Sequence, residues 1–265
     1  MKKVKLFLNV IVILLLILLV GYFIQDKFLI KTKQIYIEYG DEFPNIKIID
    51  SKNIQYNIKD KLTGKVNLIC YVNKYCSSCM EELSLINKLL YTDAINEKIS
   101  IILLWKDEIP VSNLMKNNID AKLNYSLNNK YELGNSTPCF YFVENEVICF
   151  KTNETNKLIN KIFSYINIEK LQKSVLLILQ NEVGSKKNNF LFLTENCEEC
   201  LKLKNKNFDK DLYLITDYED KDSIFDKYDF FKNVFNIHTY PTLLKIDNEK
   251  FQILDDFDYI ISELH

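Results

Sequence analysis

Arginine is missing from this chain: its 34 basic residues are all lysine. They face 36 acidic residues for a net charge of −2, so no basic surplus exists to attract nucleic acid. The wealth of Asn, Ile and Lys beside that absence marks an AT-rich coding bias, and no function follows from it. Proline is scarce, with four residues, at positions 44, 110, 138 and 241. Low-complexity segments and long repeat arrays are lacking. The cysteines number seven, and four of them form two Cys-x-x-Cys motifs, Cys76-Ser77-Ser78-Cys79 and Cys197-Glu198-Glu199-Cys200.

The chain opens Met-Lys-Lys-Val-Lys and then runs apolar over 6–24, with Asn9 as its strongly polar residue. Such a run is long enough to span the hydrocarbon core of a bilayer. It is followed by no small-x-small cleavage site and no nearby cysteine for a lipid, which predicts an uncleaved signal anchor over a cleaved signal peptide. Lys2, Lys3 and Lys5 favour an inside N-terminus, although Lys27, Lys31 and Lys33 weaken the asymmetry. The expected organisation is a cytoplasmic tail at 1–5, the anchor at 6–24, a tether at 25–39 and two units at 40–166 and 167–265. The expected location is a bacterial cell membrane, with the body of the chain outside the cytoplasm, where oxidising conditions suit cysteine pairs.

Apolar periodicity places each motif between a strand and a helix. Residues 46–49 and 54–58 read as short strands, 67–72 as a buried strand leading to Cys76, and Met80, Leu83, Ile86, Leu89 and Leu90 recur at helical spacing after Cys79. A strand is expected at 99–105, helical or turn-like segments at 114–118 and 128–133, a hairpin at 139–143 and 147–151 turning at Glu144-Asn145, and a helix at 154–166. The second unit repeats the plan: helix 169–180, strand 189–193, the motif and its helix, strand 212–215, helix 223–235, hairpin 242–246 and 251–254, and helix 257–264. Thr137-Pro138 and Tyr240-Pro241 each stand immediately before a hairpin.

That order, with Phe43-Pro44, Gly64-Lys65-Val66, Tyr75-Cys76-Ser77-Ser78-Cys79, Glu82 and Ser136-Thr137-Pro138, resembles the membrane-anchored thioredoxin-like thiol-disulfide reductases of the TlpA and ResA kind. Tyr75 stands where that family usually has Trp, and the lone Trp105 reads as a core residue of its strand. The second unit resembles a plain thioredoxin domain, with 44 residues from Cys197 to Pro241 against 62 from Cys76 to Pro138. The resemblance implies an α/β fold of two tandem thioredoxin-like domains, each a mixed sheet flanked by helices, after one transmembrane helix. It also implies cis-prolines at Pro138 and Pro241, with the backbone of Thr137 and Tyr240 pairing to a substrate chain. An ordinary trans turn is the plainer alternative at each proline.

A Cys-x-x-Cys at a helix N-terminus supports thiol-disulfide exchange: the helix field favours a thiolate on the first cysteine, and the second resolves the mixed disulfide. Cys76 and Cys197 are the expected attackers, Cys79 and Cys200 the resolving thiols. The alternative of a shared zinc site suits the chain poorly, because the pairs lie 121 residues apart, each with its own strand, helix and proline. No metal and no cofactor beyond the redox-active disulfides is expected. Lys74 lies beside Cys76, whereas Glu195, Glu198 and Glu199 flank Cys197, which predicts a more reducing second pair and electron flow toward the first.

The buried acid that thioredoxins carry six residues before the first cysteine is replaced by Cys70 and by Leu191. Glu82 is read either as a tuning acid near Cys79 or as a solvated helix carboxylate. Cys139 is read either as a packed strand thiol or as a thiol that exchanges with the disulfide. Cys70 and Cys149 read as buried thiols and His238 as structural. The expected partners are protein or peptide thiols and disulfides, with a membrane thiol carrier as electron donor. The competing functions are a disulfide oxidase or isomerase for secreted peptides, and a binding scaffold with one redox-inert thioredoxin fold.

Overall fold

The computed structural model describes residues 33–116, 124–127, 131–134, 136–183, 188–206, 212–247 and 250–264, with Ile13, Leu15 and Leu16. The anchor expected at 6–24 lies otherwise outside the described residues. Among the described residues no helix is long and apolar enough to cross a membrane.

The first part of the chain contributes β1 (Lys33–Ile35), β2 (Lys47–Asp50), β3 (Gln55–Asn57), β4 (Val66–Val72), α1 (Ser77–Leu90), α2 (Asp93–Asn96), β5 (Ile99–Trp105), α3 (Val111–Lys116), β6 (Asn124–Ser126), β7 (Tyr131–Leu133), β8 (Cys139–Glu144), β9 (Val147–Thr152) and α4 (Thr155–Phe163). The remainder contributes α5 (Ile168–Val183), β10 (Asn189–Leu193), α6 (Glu198–Lys204), β11 (Leu212–Thr216), β12 (Ser223–Phe225), α7 (Phe230–Phe235), β13 (Thr242–Asp247), β14 (Lys250–Leu254) and α8 (Phe257–Glu263). Two larger sheets result. One has the order β3-β2-β6-β5-β4-β8-β9 and the other β12-β11-β10-β13-β14.

The motif-bearing strand has the same surroundings in both. β4 pairs in parallel with β5 and antiparallel with β8, and β10 pairs in parallel with β11 and antiparallel with β13. Each is therefore covered by strands on both sides, consistent with its nearly unbroken apolar sequence. Along β4 the side chains alternate: Leu68, Cys70 and Val72 enter one apolar layer, Ile69 and Tyr71 the other. This period of two is what a strand buried on both faces requires. Trp105 ends β5 fully buried, its indole N–H donating to Asn124 Oδ1 at 3.1 Å.

The layer that holds Cys79, Leu83 and Ile86 of α1 does not stop at the first sheet. It continues through Leu171, Val175, Leu176 and Leu179 of α5 to Phe230, Phe231, Val234 and Phe235 around α7, and to Phe190, Phe192 and Leu244 of the second sheet. Each such side chain, fully buried, contributes roughly 1.5–3 kcal/mol. The second sheet buries Leu191, Leu193 and Leu243 on its other face, with Cys200, Leu203 and Ile260.

Four local readings change. Residues 33–35, expected in a tether, form β1, which pairs in parallel with β7, and Ile37 behind it is buried. Residues 131–133, expected to be helical or turn-like, form that partner strand, because three residues of edge pairing outweigh a weak local preference. Residues 223–225, expected to begin a helix, pair with β11 as β12, and helix starts only at Phe230. The hairpin turns at Asn145 and Glu146, both at positive φ (48° and 67°), which suits a two-residue turn between twisted strands.

α7 is held by Asp226, whose side chain is buried and accepts from the amides of Phe231 (2.8 Å) and Lys232 (2.9 Å). Burial pushes its carboxyl up to about 6, against the pull of those two amides and of Lys88. The folded chain therefore binds this proton more tightly than the unfolded one. Its contribution to stability is complete below the ordinary Asp range and is lost as pH rises through about 6. Asp226→Asn should flatten the stability–pH curve between about 4 and 6 in urea titrations. Asp226→Ala, which strands two amides, should cost about 1–3 kcal/mol.

Candidate functional site

Cys76 is the N-cap of α1. Its backbone is extended (φ −93°, ψ 112°), and its Sγ accepts from the Cys79 amide at 3.1 Å. The residue reaches this position because Asn73 closes the end of β4: its carbonyl accepts from the Cys76 amide at 3.2 Å and its Oδ1 from the Tyr75 amide at 2.8 Å. Cys76 and Cys79 form a disulfide. Cys76 is partly exposed and Cys79 fully buried. The Thr137–Pro138 peptide is cis, and the Thr137 carbonyl oxygen lies 3.4 Å from Cys76 Sγ. Ser78 Oγ is 3.2 Å from the same sulfur.

The second motif has the same build. Cys197 caps α6 (φ −119°, ψ 115°), its Sγ accepts from the Cys200 amide at 3.1 Å, and it is paired with the buried Cys200. Tyr240–Pro241 is cis, with the Tyr240 carbonyl oxygen 3.6 Å from Cys197 Sγ. In both places the structure brings together the two cysteines, the helix start and the residue before proline. Among the described residues no cluster of three or more His, Cys, Asp or Glu is arranged to hold a metal ion.

The surroundings differ, though not as local charge alone suggests. Lys74 is drawn to Glu108 (3.3 Å), and Glu198 to Lys202 (2.8 Å), whose ammonium holds the Glu198 carboxyl below its usual range. Both charges are thus partly spent away from the sulfurs. Helix length is a second difference: α1 has 14 residues and α6 has 7, so fewer aligned peptide dipoles stand behind Cys197.

The largest difference is internal. Glu82, one turn beyond Cys79, is only 4% exposed, and its Oε1 accepts from Thr155 Oγ1 of α4 at 2.8 Å. The solvated-carboxylate reading is therefore replaced by a buried acid. Burial pushes the Cys70 thiol far up, and the Glu82 charge adds to it, so Glu82 and Cys70 share the space behind the disulfide. At the equivalent places relative to Cys197 and Cys200 stand Leu191 and Leu203, both buried.

Cys139 follows Pro138 but faces the other way. It packs with Tyr71 and Tyr141 in the layer on the opposite face of the sheet from Cys79, and burial pushes its thiol up. It is a packed strand thiol and does not join the disulfide. Cys149 lies beside Glu144 Oε1 and Tyr165, and His238 is exposed. Sequence reasoning passes over Thr155 and Ser78. Ser78 was legible from its place inside the motif. Thr155 is 73 residues from Glu82, and only the packing of α4 on α1 joins them.

No family model matches the chain. Over 118 residues it is 31% identical to the thiol-disulfide oxidoreductase ResA of Bacillus thuringiensis subsp. konkukian (strain 97-27), a match covering 44% of this chain and 66% of that protein. The chain thus spans just under two thirds of the curated relative it matches. The fold is thioredoxin-like. Solved structures similar to it include the thioredoxin domain of a thiol-disulfide oxidoreductase from Bacteroides vulgatus, at 18% identity and a TM-score of 0.40, covering 49% of this chain and 99% of that one. A thiol:disulfide interchange protein from Bacteroides sp. matches at 18% identity and a TM-score of 0.38, over 49% and 91% of the two chains.

In the reduced protein the exposed cysteine of each pair should react first. Iodoacetamide is expected to label Cys76 and Cys197 at least about tenfold faster than Cys79 and Cys200, read by peptide mass spectrometry.

Proposed function

We propose that the chain is a membrane-anchored, extracytoplasmic thiol-disulfide oxidoreductase that reduces disulfides of proteins or peptides. In this reading it is built of two thioredoxin-like units, 40–166 and 167–265, behind an anchor at 6–24. The observation that carries the reading is the shared geometry at Cys76 and Cys197: an attacking sulfur that accepts from the amide of its own resolving cysteine, with a peptide carbonyl beside it. An amide donor at a helix start stabilises a thiolate more than a thiol. The similarity to ResA supports the same chemistry.

The Cys76 thiolate attacks one sulfur of the client disulfide. The client S–S bond breaks, and its other sulfur leaves as a thiolate. Cys79, once deprotonated, attacks Cys76 Sγ and releases the second client thiolate, leaving the Cys76–Cys79 disulfide. Two electrons and two protons have then passed to the client. No cofactor takes part beyond the redox-active disulfides, and a dithiol must restore the pair. Cys197–Cys200 is suited to supply it, itself recharged by a membrane thiol carrier. The shorter helix and the remaining Glu195 and Glu199 favour a more reducing second pair, while the buried Glu82 acts in the opposite sense on the first.

Because the two units share an apolar layer, each pair is best titrated in the full chain with the other pair replaced by serine. The Cys197–Cys200 couple is expected at least about 30 mV below the Cys76–Cys79 couple. The reverse order would overturn the relay direction and rank Glu82 as the stronger influence. Cys76→Ala and Cys197→Ala should each abolish most insulin reduction. Undiminished turnover after either change would make that unit a docking surface, and wild-type inactivity would sink the reductase reading.

A further inference from the structure

The acid behind the first site has a neighbour from the second unit. Residues 227–229 make one short turn in which Tyr228 and Asp229 both adopt left-handed backbone (φ 66° and 54°). Bulky residues rarely sit there, and such strain persists only where the surroundings impose it. Here they do. Lys227 Nζ is anchored to Glu81 Oε2 of α1 at 2.9 Å, and the Tyr228 ring packs on the shared apolar layer. The phenol lies near Glu82: burial first, and then that carboxylate, push its ionisation up.

Glu82 needs such a donor. Thr155 satisfies Oε1, while Oε2 is buried with no partner in ordinary hydrogen-bond geometry among the described residues. Tyr228 also lines, with Ser84, Leu85 and Lys88 of the same helix as Glu82, a cavity of about 160 Å³. The other groups set around the carboxylate are Cys70 from β4, Cys79 one turn back on α1, the Thr155 hydroxyl from α4 and the neighbouring Glu81.

We propose that Tyr228 is a positioning residue for the first site, holding and partly neutralising the Glu82 carboxylate so that docking of the second unit sets the pH range over which Cys76 is a thiolate. This inference rests on the reading of Cys76–Cys79 as a redox-active pair. A carboxylate that shares its charge with a phenol O–H repels a nearby thiolate less than a bare one. The second unit thereby acts on the first without contributing a sulfur.

The test uses the full chain with Cys197→Ser and Cys200→Ser, reduced, and follows the pH dependence of Cys76 alkylation together with thiolate absorbance. Tyr228→Phe keeps the ring and removes the hydroxyl. Above the carboxylate range it should move the thiolate midpoint up and slow alkylation about threefold at fixed pH. In a Glu82→Gln background the same substitution should change nothing. Superimposable profiles with and without Tyr228→Phe would overturn the proposal. So would a shift that survives Glu82→Gln, since that would be a packing effect. Loss of insulin reduction in the unaltered protein with the thiolate shift intact would instead sink the functional reading alone.

Discussion

One apolar layer carries the rest of this structure. It begins behind the first disulfide with Cys79, Leu83 and Ile86, passes through one face of α5, and ends among the phenylalanines around α7 and the inner face of the second sheet. Most of its residues are completely buried, and close packing resists changes of even one methylene. The start of α1, where Cys76 is held, is therefore fixed from below by both halves of the chain. The surface pairs that cross the same seam, Lys170 with Glu97 and Lys227 with Glu81, are exposed and add specificity more than stability.

On this frame the two cysteine pairs are alike in backbone and unlike in what lies beneath them. Both sulfurs cap a helix and both face the carbonyl before a proline. Beneath the first is an acid bonded to a threonine from another helix, and beneath the second are two leucines. A buried charge acts more strongly than an exposed one, so Glu82 opposes the effect of the shorter helix and the exposed acids at the second pair. The acidic residues around Cys197 stand in water, where screening is strong.

Much of this was legible in the amino-acid order, for a physical reason. β4, β5 and β10 are covered on both sides, so their sequences are nearly unbroken apolar runs, and the motif that follows β4 and β10 marks a strand-to-helix turn. The short edge strands were not legible. Residues 33–35, 131–133 and 223–225 carry no alternation long enough to read and become strands only because a partner is present. At the site, the cysteines and prolines were legible from spacing. The burial of Glu82 was not, since it depends on α4, and neither was the left-handed backbone of Tyr228, whose neighbour Lys227 pairs with Glu81 of α1. The turn of Cys139 away from the disulfide follows from strand parity: β8 sends alternate side chains to opposite faces, and Cys139 shares its face with Tyr141.

That parity has a chemical consequence. Besides the two pairs, the described chain contains three unpaired cysteines: Cys70 and Cys139 are buried on opposite faces of one sheet, and Cys149 is half-buried beside Tyr165 and Glu144. Burial pushes each of the three thiols upward, away from the reactive thiolate form. The sheet thus sets Cys139 on the opposite face from Cys79, while Cys70, on the same face as Cys79, is held back from reaction by its burial.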